Sequence, residues 1–294
     1  MSVLHRHVLH NDRIQLVTDL ALSPGQVGLL SGWGVFSTLR VADGVLFAWD
    51  RHWARIQRDA AHLHVALPQD SEAVRLKLLE LIDANQAANC TLRIVIVRNE
   101  GGMWAGPSNG RESDLIALTA DSKDWGDSVN LAYVPEARHA ASEFTGTKIL
   151  SWAMNLTWLE SAQRRGFDEV ILLNERGEVA ECTSANIFIA NGGQVWTPPL
   201  NSGCLPGVTR ALLLDEIRVP GVSAAEKTLL PRDLEQADLV FISSSTRDFL
   251  PVSYIEGLNV RNSGNVLDDL VKAFEDYRKA YIQRNASALL GQQR

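Results

Sequence analysis

Thr147-Lys148-Ile149-Leu150-Ser151-Trp152, then Glu178-Val179-Ala180-Glu181-Cys182-Thr183-Ser184-Ala185-Asn186-Ile187-Phe188, then Leu205-Pro206-Gly207-Val208-Thr209-Arg210, are the stretches on which the reading of this chain turns. Lysine is scarce here, six residues against 22 arginines. Lys148 stands at the front of a helical pattern in partly apolar surroundings, whereas the other five lysines lie in polar or helix-surface contexts. An amine so placed is a candidate nucleophile. Glu181, on a short strand, is a candidate carboxylate partner. Gly207-Val208-Thr209 opens a helix, where backbone N–H groups favour an anion and a glycine allows close approach.

The rest of the composition narrows the class. The chain has 294 residues, 46% of them hydrophobic and 21% charged, which is ordinary for a soluble globular protein of one large or two medium domains. A net charge of −7 disfavours a nucleic-acid or acidic-membrane surface but leaves room for a local basic pocket. Cys90, Cys182 and Cys204 have no paired spacing and no Cys/His cluster, so no metal site is expected and reduced thiols are the simplest reading. The N-terminus lacks a long apolar core, and no stretch approaches a membrane span. A cytoplasmic protein is the expectation.

Along the chain, strands are expected at 3–9 and 14–17, and a turn plus strand over 32–41. Asp43-Gly44 marks a hairpin turn, with a returning strand over 45–49. Asp50 is a candidate cap for a helix over 51–63, and a second helix over 71–88 carries Val74, Leu78, Leu81 and Ile82 on one face. Strands are read at 91–97, 115–119 and 129–134. A helix begins near Ser151 and ends at Gly166. Strands follow at 169–173, 179–180 and 186–190, then a helix over 208–217, a strand over 239–243 and a closing helix over 266–288. The polar stretch 120–130 reads as a linker between a smaller N-terminal domain, 1–122, and a larger C-terminal one, 123–294.

Each candidate residue has a plainer reading beside the chemical one. Lys148 could be a solvated lysine, Glu181 an edge-strand glutamate, Arg55 part of a solvated helix face, and Ser243-Ser244-Ser245-Thr246 a simple loop. Together and in this order they suggest a pyridoxal phosphate site. The lysine would form the Schiff base, the carboxylate would hold the pyridinium nitrogen, Arg55 and the Gly-Val-Thr turn would hold the phosphate, and the Ser/Thr run suits a phosphate or a carboxylate.

The ordered blocks Gly-Trp-Gly-Val-Phe-Ser-Thr-Leu-Arg-Val, His-Trp-Ala-Arg-Ile, Lys148, Glu-Cys-Thr-Ser-Ala-Asn-Ile-Phe, Leu-Pro-Gly-Val-Thr-Arg and Ser-Ser-Ser-Thr-Arg-Asp-Phe-Leu-Pro-Val resemble the class IV aminotransferases, from about residue 28 to residue 255. The resemblance implies an α+β, fold-type IV enzyme. Such an enzyme has two α/β domains with the cofactor site between them, the larger domain binding pyridoxal 5'-phosphate. It implies Lys148 as the catalytic lysine and Glu181 as the pyridine partner, with Arg55, Val208, Thr209 and Ser245 around the phosphate. Ser244 to Thr246 would meet the substrate carboxylate, and Phe36 would stand beside the substrate. It also implies a homodimer, for which Trp33, Trp104, Trp152 and Trp158 are compatible surface aromatics, though core packing is their commoner role. Three positions depart from the family pattern: Cys182 replaces the glycine after the glutamate, Ser151 an asparagine, and Ala153 a tyrosine.

Within the family, Met103 and Ala105 stand where D-amino acid enzymes keep an Arg-x-His pair. Thr91 to Val97 resembles the branched-chain segment, with Arg93 where those enzymes hold the carboxylate of glutamate; a solvent-facing strand arginine is the alternative. Phe36-Ser37-Thr38 and Gly101-Gly102 resemble the aminodeoxychorismate lyases, in which a threonine at the position of Thr38 assists elimination. The expectation is an aminotransferase acting on a branched-chain-like L-amino acid and a 2-keto acid such as 2-oxoglutarate. The lyase stands as the alternative and a non-catalytic ligand-binding relative as a second one.

Overall fold

Asp43 and Gly44 both adopt positive φ, 49° and 75°, and close a two-residue hairpin in which Val41 faces Leu46 and Ala42 faces Val45. This is the backbone that an Asp-Gly turn is suited to supply. The computed structural model describes residues 3–23, 25–68, 70–102 and 110–292. The chain divides into two compact units. The first comprises residues 1–123, 148–152 and 279–294; the second comprises 124–147 and 153–278.

In the first unit β1 (Leu4–His10), β2 (Arg13–Leu16), a short α1 (Val27–Ser31), β3 (Gly34–Ala42), β4 (Val45–Leu46), α2 (Trp49–His62), α3 (Ser71–Ala84), β5 (Cys90–Arg98) and β6 (Ser113–Ala120) follow in order. The strands form an antiparallel sheet in the order β2-β1-β6-β5-β3-β4. Alternation along β3 and β5 sends Leu39, Val41, Leu92, Ile94 and Ile96 to one face, where they pack against Trp53, Ile56 and Ala60 of α2 and Leu78 and Leu81 of α3. Ser37 shares that face and is fully buried. Phe36, Thr38 and Arg93 take the opposite face, by the same alternation and the Thr38–Arg93 register.

Three local expectations are corrected here. The returning strand stops at Leu46 rather than continuing to Trp49, because Ala48 turns left-handed (φ 56°) and α2 begins at Trp49. Asp50 therefore sits inside the first turn and is not the cap, although its charge still suits a helix N-terminus. The second helix ends at Ala84, four residues early, where Gln86 takes φ 52°. Its start is capped by Asp70, whose carboxylate accepts the Glu72 N–H at 2.8 Å.

The second unit holds β7 (Val129–Arg138), α4 (Ala153–Gln163), β8 (Glu169–Asn174), β9 (Val179–Cys182), β10 (Asn186–Asn191), β11 (Gln194–Thr197), α5 (Val208–Asp215), β12 (Ser223–Glu226), α6 (Pro231–Gln236), β13 (Leu239–Ser244), β14 (Asp248–Ile255) and the first part of α7 (Val266–Gln292). Its sheet runs β12-β11-β10-β13-β14-β7-β8-β9 and mixes parallel and antiparallel pairs. Ile171, Ile187, Val240 and Ile242 line one face with Leu229 and Leu234. Ala132, Val170 and Leu172 form a smaller cluster with Ala162 and Trp158 of α4. Strands β11, β12 and β14 and helix α6 went unread in the sequence, being short or interrupted by proline. No helix among the described residues is long and apolar enough to cross a membrane.

Candidate active site

Lys148 is not the first residue of a helix; α4 begins only at Ala153. Instead residues 148–150 lie extended along the free edge of β3. Ile149 bridges Val35, the Phe36 N–H donates to the Lys148 carbonyl at 3.1 Å, and the Leu150 N–H donates to the Gly34 carbonyl at 2.9 Å. Apolar residues at helical spacing misled the sequence reading, because an open strand edge satisfies the same backbone groups. The Lys148 N–H donates to Asp59 Oδ2 at 3.1 Å. The side chain is half-buried in an aromatic corner, with Nζ 4.4 Å from the Phe36 ring centroid and 4.8 Å from that of Trp152. Those two rings meet edge to face at 5.5 Å. Arg93 brings a second cation to Phe36, 5.0 Å from its centroid, and its Nε donates to Thr38 Oγ1 at 3.2 Å. Lys148, Phe36, Thr38 and Arg93 thus come together around one ring. Two cations gathered there suit a substrate carrying carboxylate.

Arg55 is held elsewhere in the same unit. It lies on the buried side of α2, and its Nη2 donates to Ser37 Oγ at 2.9 Å. Ser37 Oγ also pairs with His52 Nδ1 at 2.8 Å. Ser37 Oγ thus bridges the Arg55 guanidinium and the His52 ring. Burial, and then the nearby charges of Arg55 and Lys148, push the His52 pKa well below its ordinary value. Burial also lowers Arg55, to about 10, with Asp59 acting in the opposite direction.

A pH effect on stability follows. Unfolded His52 takes a proton near the ordinary value of 6.5, whereas folded His52 resists protonation until lower pH. Below 6.5 the unfolded chain binds more protons, so stability falls with acidification, by up to about 1.4 kcal/mol per pH unit for one proton. Urea midpoints measured from pH 7.5 down to 5.5 should fall more steeply for the wild type than for His52→Gln. Equal slopes would refute a neutral buried imidazole.

In the second unit Glu181 is buried on β9 and pinned from two directions. Arg138 Nε and Nη2 donate to its Oε1 at 3.3 and 3.2 Å, and the Leu205 N–H donates to Oε2 at 3.0 Å. Arg138 is steadied in turn by Asn155 Oδ1 at 3.3 Å, and Asn155 Nδ2 donates to the Thr183 carbonyl at 2.7 Å. Sequence reading missed Arg138 and Asn155. Nothing in their local pattern sets them apart, because their partners are 43 and 28 residues away. Cys182, in place of the family's glycine, is buried, and burial raises its thiol pKa well above normal.

Ser244 ends β13, and Ser245 and Thr246 lie in the turn that follows. The Arg247 N–H donates to Ser244 Oγ at 3.2 Å. The Arg247 guanidinium lies 3.8 Å from the Trp125 ring centroid and pairs with the fully buried Glu169 at 3.1 Å. Glu169 also accepts from the hydroxyls of Thr183 and Ser184. This ion pair, unread in the sequence, anchors the serine turn from beneath.

Helix α5 begins at Val208 with no capping side chain, leaving the N–H groups of its first turn for another acceptor. Gly207 has ordinary extended angles (φ −65°, ψ 143°), so its glycine is not required by backbone conformation. A Cβ there would lie 2.0 Å from Asn186 Oδ1, so the glycine makes room for that side chain. Ser243 faces Asn186 across β10 and β13, and its buried Oγ has no hydrogen-bond partner among the described residues. An uncapped helix start beside a buried hydroxyl without a partner fits a phosphate. Met103, Trp104 and Ala105 lie outside the described residues.

Comparison with known proteins gives the class. A family model for class IV amino-transferases matches residues 34–255. The chain is 28% identical over 257 residues to the D-alanine aminotransferase of Bacillus licheniformis, covering 86% of this chain and 89% of the relative. It is 25% identical over 249 residues to the branched-chain-amino-acid aminotransferase of Escherichia coli strain K12, covering 78% of each. The solved branched-chain amino acid aminotransferase from Escherichia coli superposes with a TM-score of 0.83 at 24% identity, over 93% of this chain and 94% of that one. The chain belongs to the class IV aminotransferases, a family of pyridoxal phosphate-dependent enzymes, and has their α+β, type IV fold.

Proposed function

We propose that this chain binds pyridoxal 5'-phosphate through Lys148 and moves an amino group between a branched-chain-like L-amino acid and a 2-keto acid such as 2-oxoglutarate. The observation that carries the substrate reading is Arg93, bonded to Thr38 on the same sheet face as the Phe36–Trp152 corner around Lys148. It offers a guanidinium to a second carboxylate, which an acceptor such as 2-oxoglutarate has. Glu181 partners the pyridine nitrogen. Arg55, Val208, Thr209 and Ser245 hold the phosphate. Ser244 to Thr246 take the substrate carboxylate, and Phe36 walls the substrate side chain. The bound cofactor supplies an electron sink that makes the substrate Cα–H acidic. Lys148 then moves that proton, its amine kept away from bulk water by Phe36 and Trp152. The reading includes a homodimer, as the family resemblance implies.

The lyase remains the second reading, favoured by the Thr38 hydroxyl on the same face as Lys148. The test is the visible spectrum of the cofactor-loaded protein before and after adding L-leucine, L-glutamate, D-alanine and (R)-1-phenylethylamine singly. The band should bleach with L-leucine and L-glutamate. Bleaching only with D-alanine or the amine would assign another branch of the family. A band unmoved by all four, together with release of 4-aminobenzoate from aminodeoxychorismate, would establish the lyase. Absence of any band after addition of pyridoxal phosphate would overturn the reading altogether.

A further inference from the structure

The backbone at Lys148 leaves a ladder part-way through a pair. Phe36 donates its N–H to the Lys148 carbonyl, and in an antiparallel ladder the Lys148 N–H would return to the Phe36 carbonyl. It goes instead to Asp59 Oδ2 at 3.1 Å. Asp59 is almost wholly buried on α2, one turn beyond Arg55, and its other oxygen, Oδ1, accepts from Arg58. The helix thus reaches past the sheet edge and takes the amide at the residue where the edge strand peels away. Residues 149 and 150 stay on β3 through the Val35 bridge and the Leu150 to Gly34 bond. The direction of the chain at Lys148 is therefore set from two sides, β3 holding its carbonyl and Asp59 its N–H.

We infer that Asp59 is a positioning residue: by accepting the Lys148 N–H it fixes the main chain from which the Lys148 amine is aimed into the Phe36–Trp152 corner. The inference rests on the reading of Lys148 as the catalytic lysine. Position matters steeply at such a residue, since a displacement of about 1 Å in a reacting group can cost roughly 100-fold in rate. The same carboxylate also acts on Arg55 electrostatically, so one buried group on α2 serves both the amine and the anion clamp.

The test compares wild type, Asp59→Ala, Arg58→Ala, and Asp59→Asn made in the Arg58→Ala background, where the amide oxygen can turn to Lys148 without opposing a guanidinium. Hydrogen exchange of the Lys148 amide is followed in the cofactor-free protein. The rate of borohydride-fixed cofactor attachment at Lys148, kcat and KM are followed in the loaded one. Asp59→Ala should lose protection at Lys148 and slow both attachment and kcat by roughly tenfold or more, with KM within about threefold of wild type. Arg58→Ala should stay near wild type, and Asp59→Asn in that background should recover most of the loss. Unchanged exchange and attachment in Asp59→Ala would overturn the inference, as would an Asn variant no better than Ala. If the wild type attaches no cofactor at Lys148, the proposed function fails instead, and the exchange measurement still decides whether Asp59 holds the amide.

Discussion

Lys148→Ala is expected to abolish turnover and covalent attachment of pyridoxal phosphate while leaving the fold around position 148 intact. The bonds that hold this residue in place use its main chain: Phe36 N–H to its carbonyl and its own N–H to Asp59. Alanine keeps both. What disappears is the amine, which the proposed mechanism uses twice, as the cofactor's covalent anchor and as the proton carrier. Loss of the proton carrier alone is worth roughly 100- to 10,000-fold. Measured turnover should therefore fall at least that far, and mass spectrometry after borohydride reduction should find no modified peptide at residue 148. The melting temperature should move only a few degrees. A variant with full activity would remove Lys148 from the chemistry and the proposed function with it.

The second large effect is expected from Glu181→Gln. The substitution preserves shape and leaves an acceptor for the Leu205 N–H, which now reaches Oε2 at 3.0 Å. It removes the negative charge that Arg138 pairs with at 3.2 Å. In the proposed site that charge also stands against the pyridine nitrogen, where it makes the ring a stronger electron acceptor. Removing one preorganised electrostatic partner of this kind typically costs about 100- to 1,000-fold in kcat. The expected outcome is a kcat lowered by that order with cofactor still bound, read from steady-state kinetics beside the cofactor absorbance. A kcat within twofold of wild type would exclude Glu181 as the nitrogen's partner.

Much of the local structure is legible without coordinates. Asp43-Gly44 specifies its hairpin because few residue pairs tolerate two positive φ values in succession. The apolar stripe Val74, Leu78, Leu81 and Ile82 marks α3. The alternation in β5 separates Arg93 from Leu92 and Ile94 because side chains on a strand alternate by construction. Errors arose where two local solutions compete. The segment before α4 carries a helical pattern yet is drawn onto the edge of β3, and the strand after Asp43-Gly44 gives way to a helix three residues past Leu46.

By itself the sequence determined the family and the order of the motifs, and it singled out Lys148, Glu181, Arg55 and Arg93 as candidates. These depend on residue types at short spacings. Only the tertiary structure decided what surrounds them: Asp59 under the Lys148 amide, 89 residues away; Arg138 against Glu181, 43 away; and Glu169 against Arg247, 78 away. Each gives a buried carboxylate a partner, and a buried carboxylate would be costly to leave unsatisfied. Which partner meets that need depends on which strands become neighbours, and strand neighbours are chosen by the closing of the whole sheet rather than by any window of sequence.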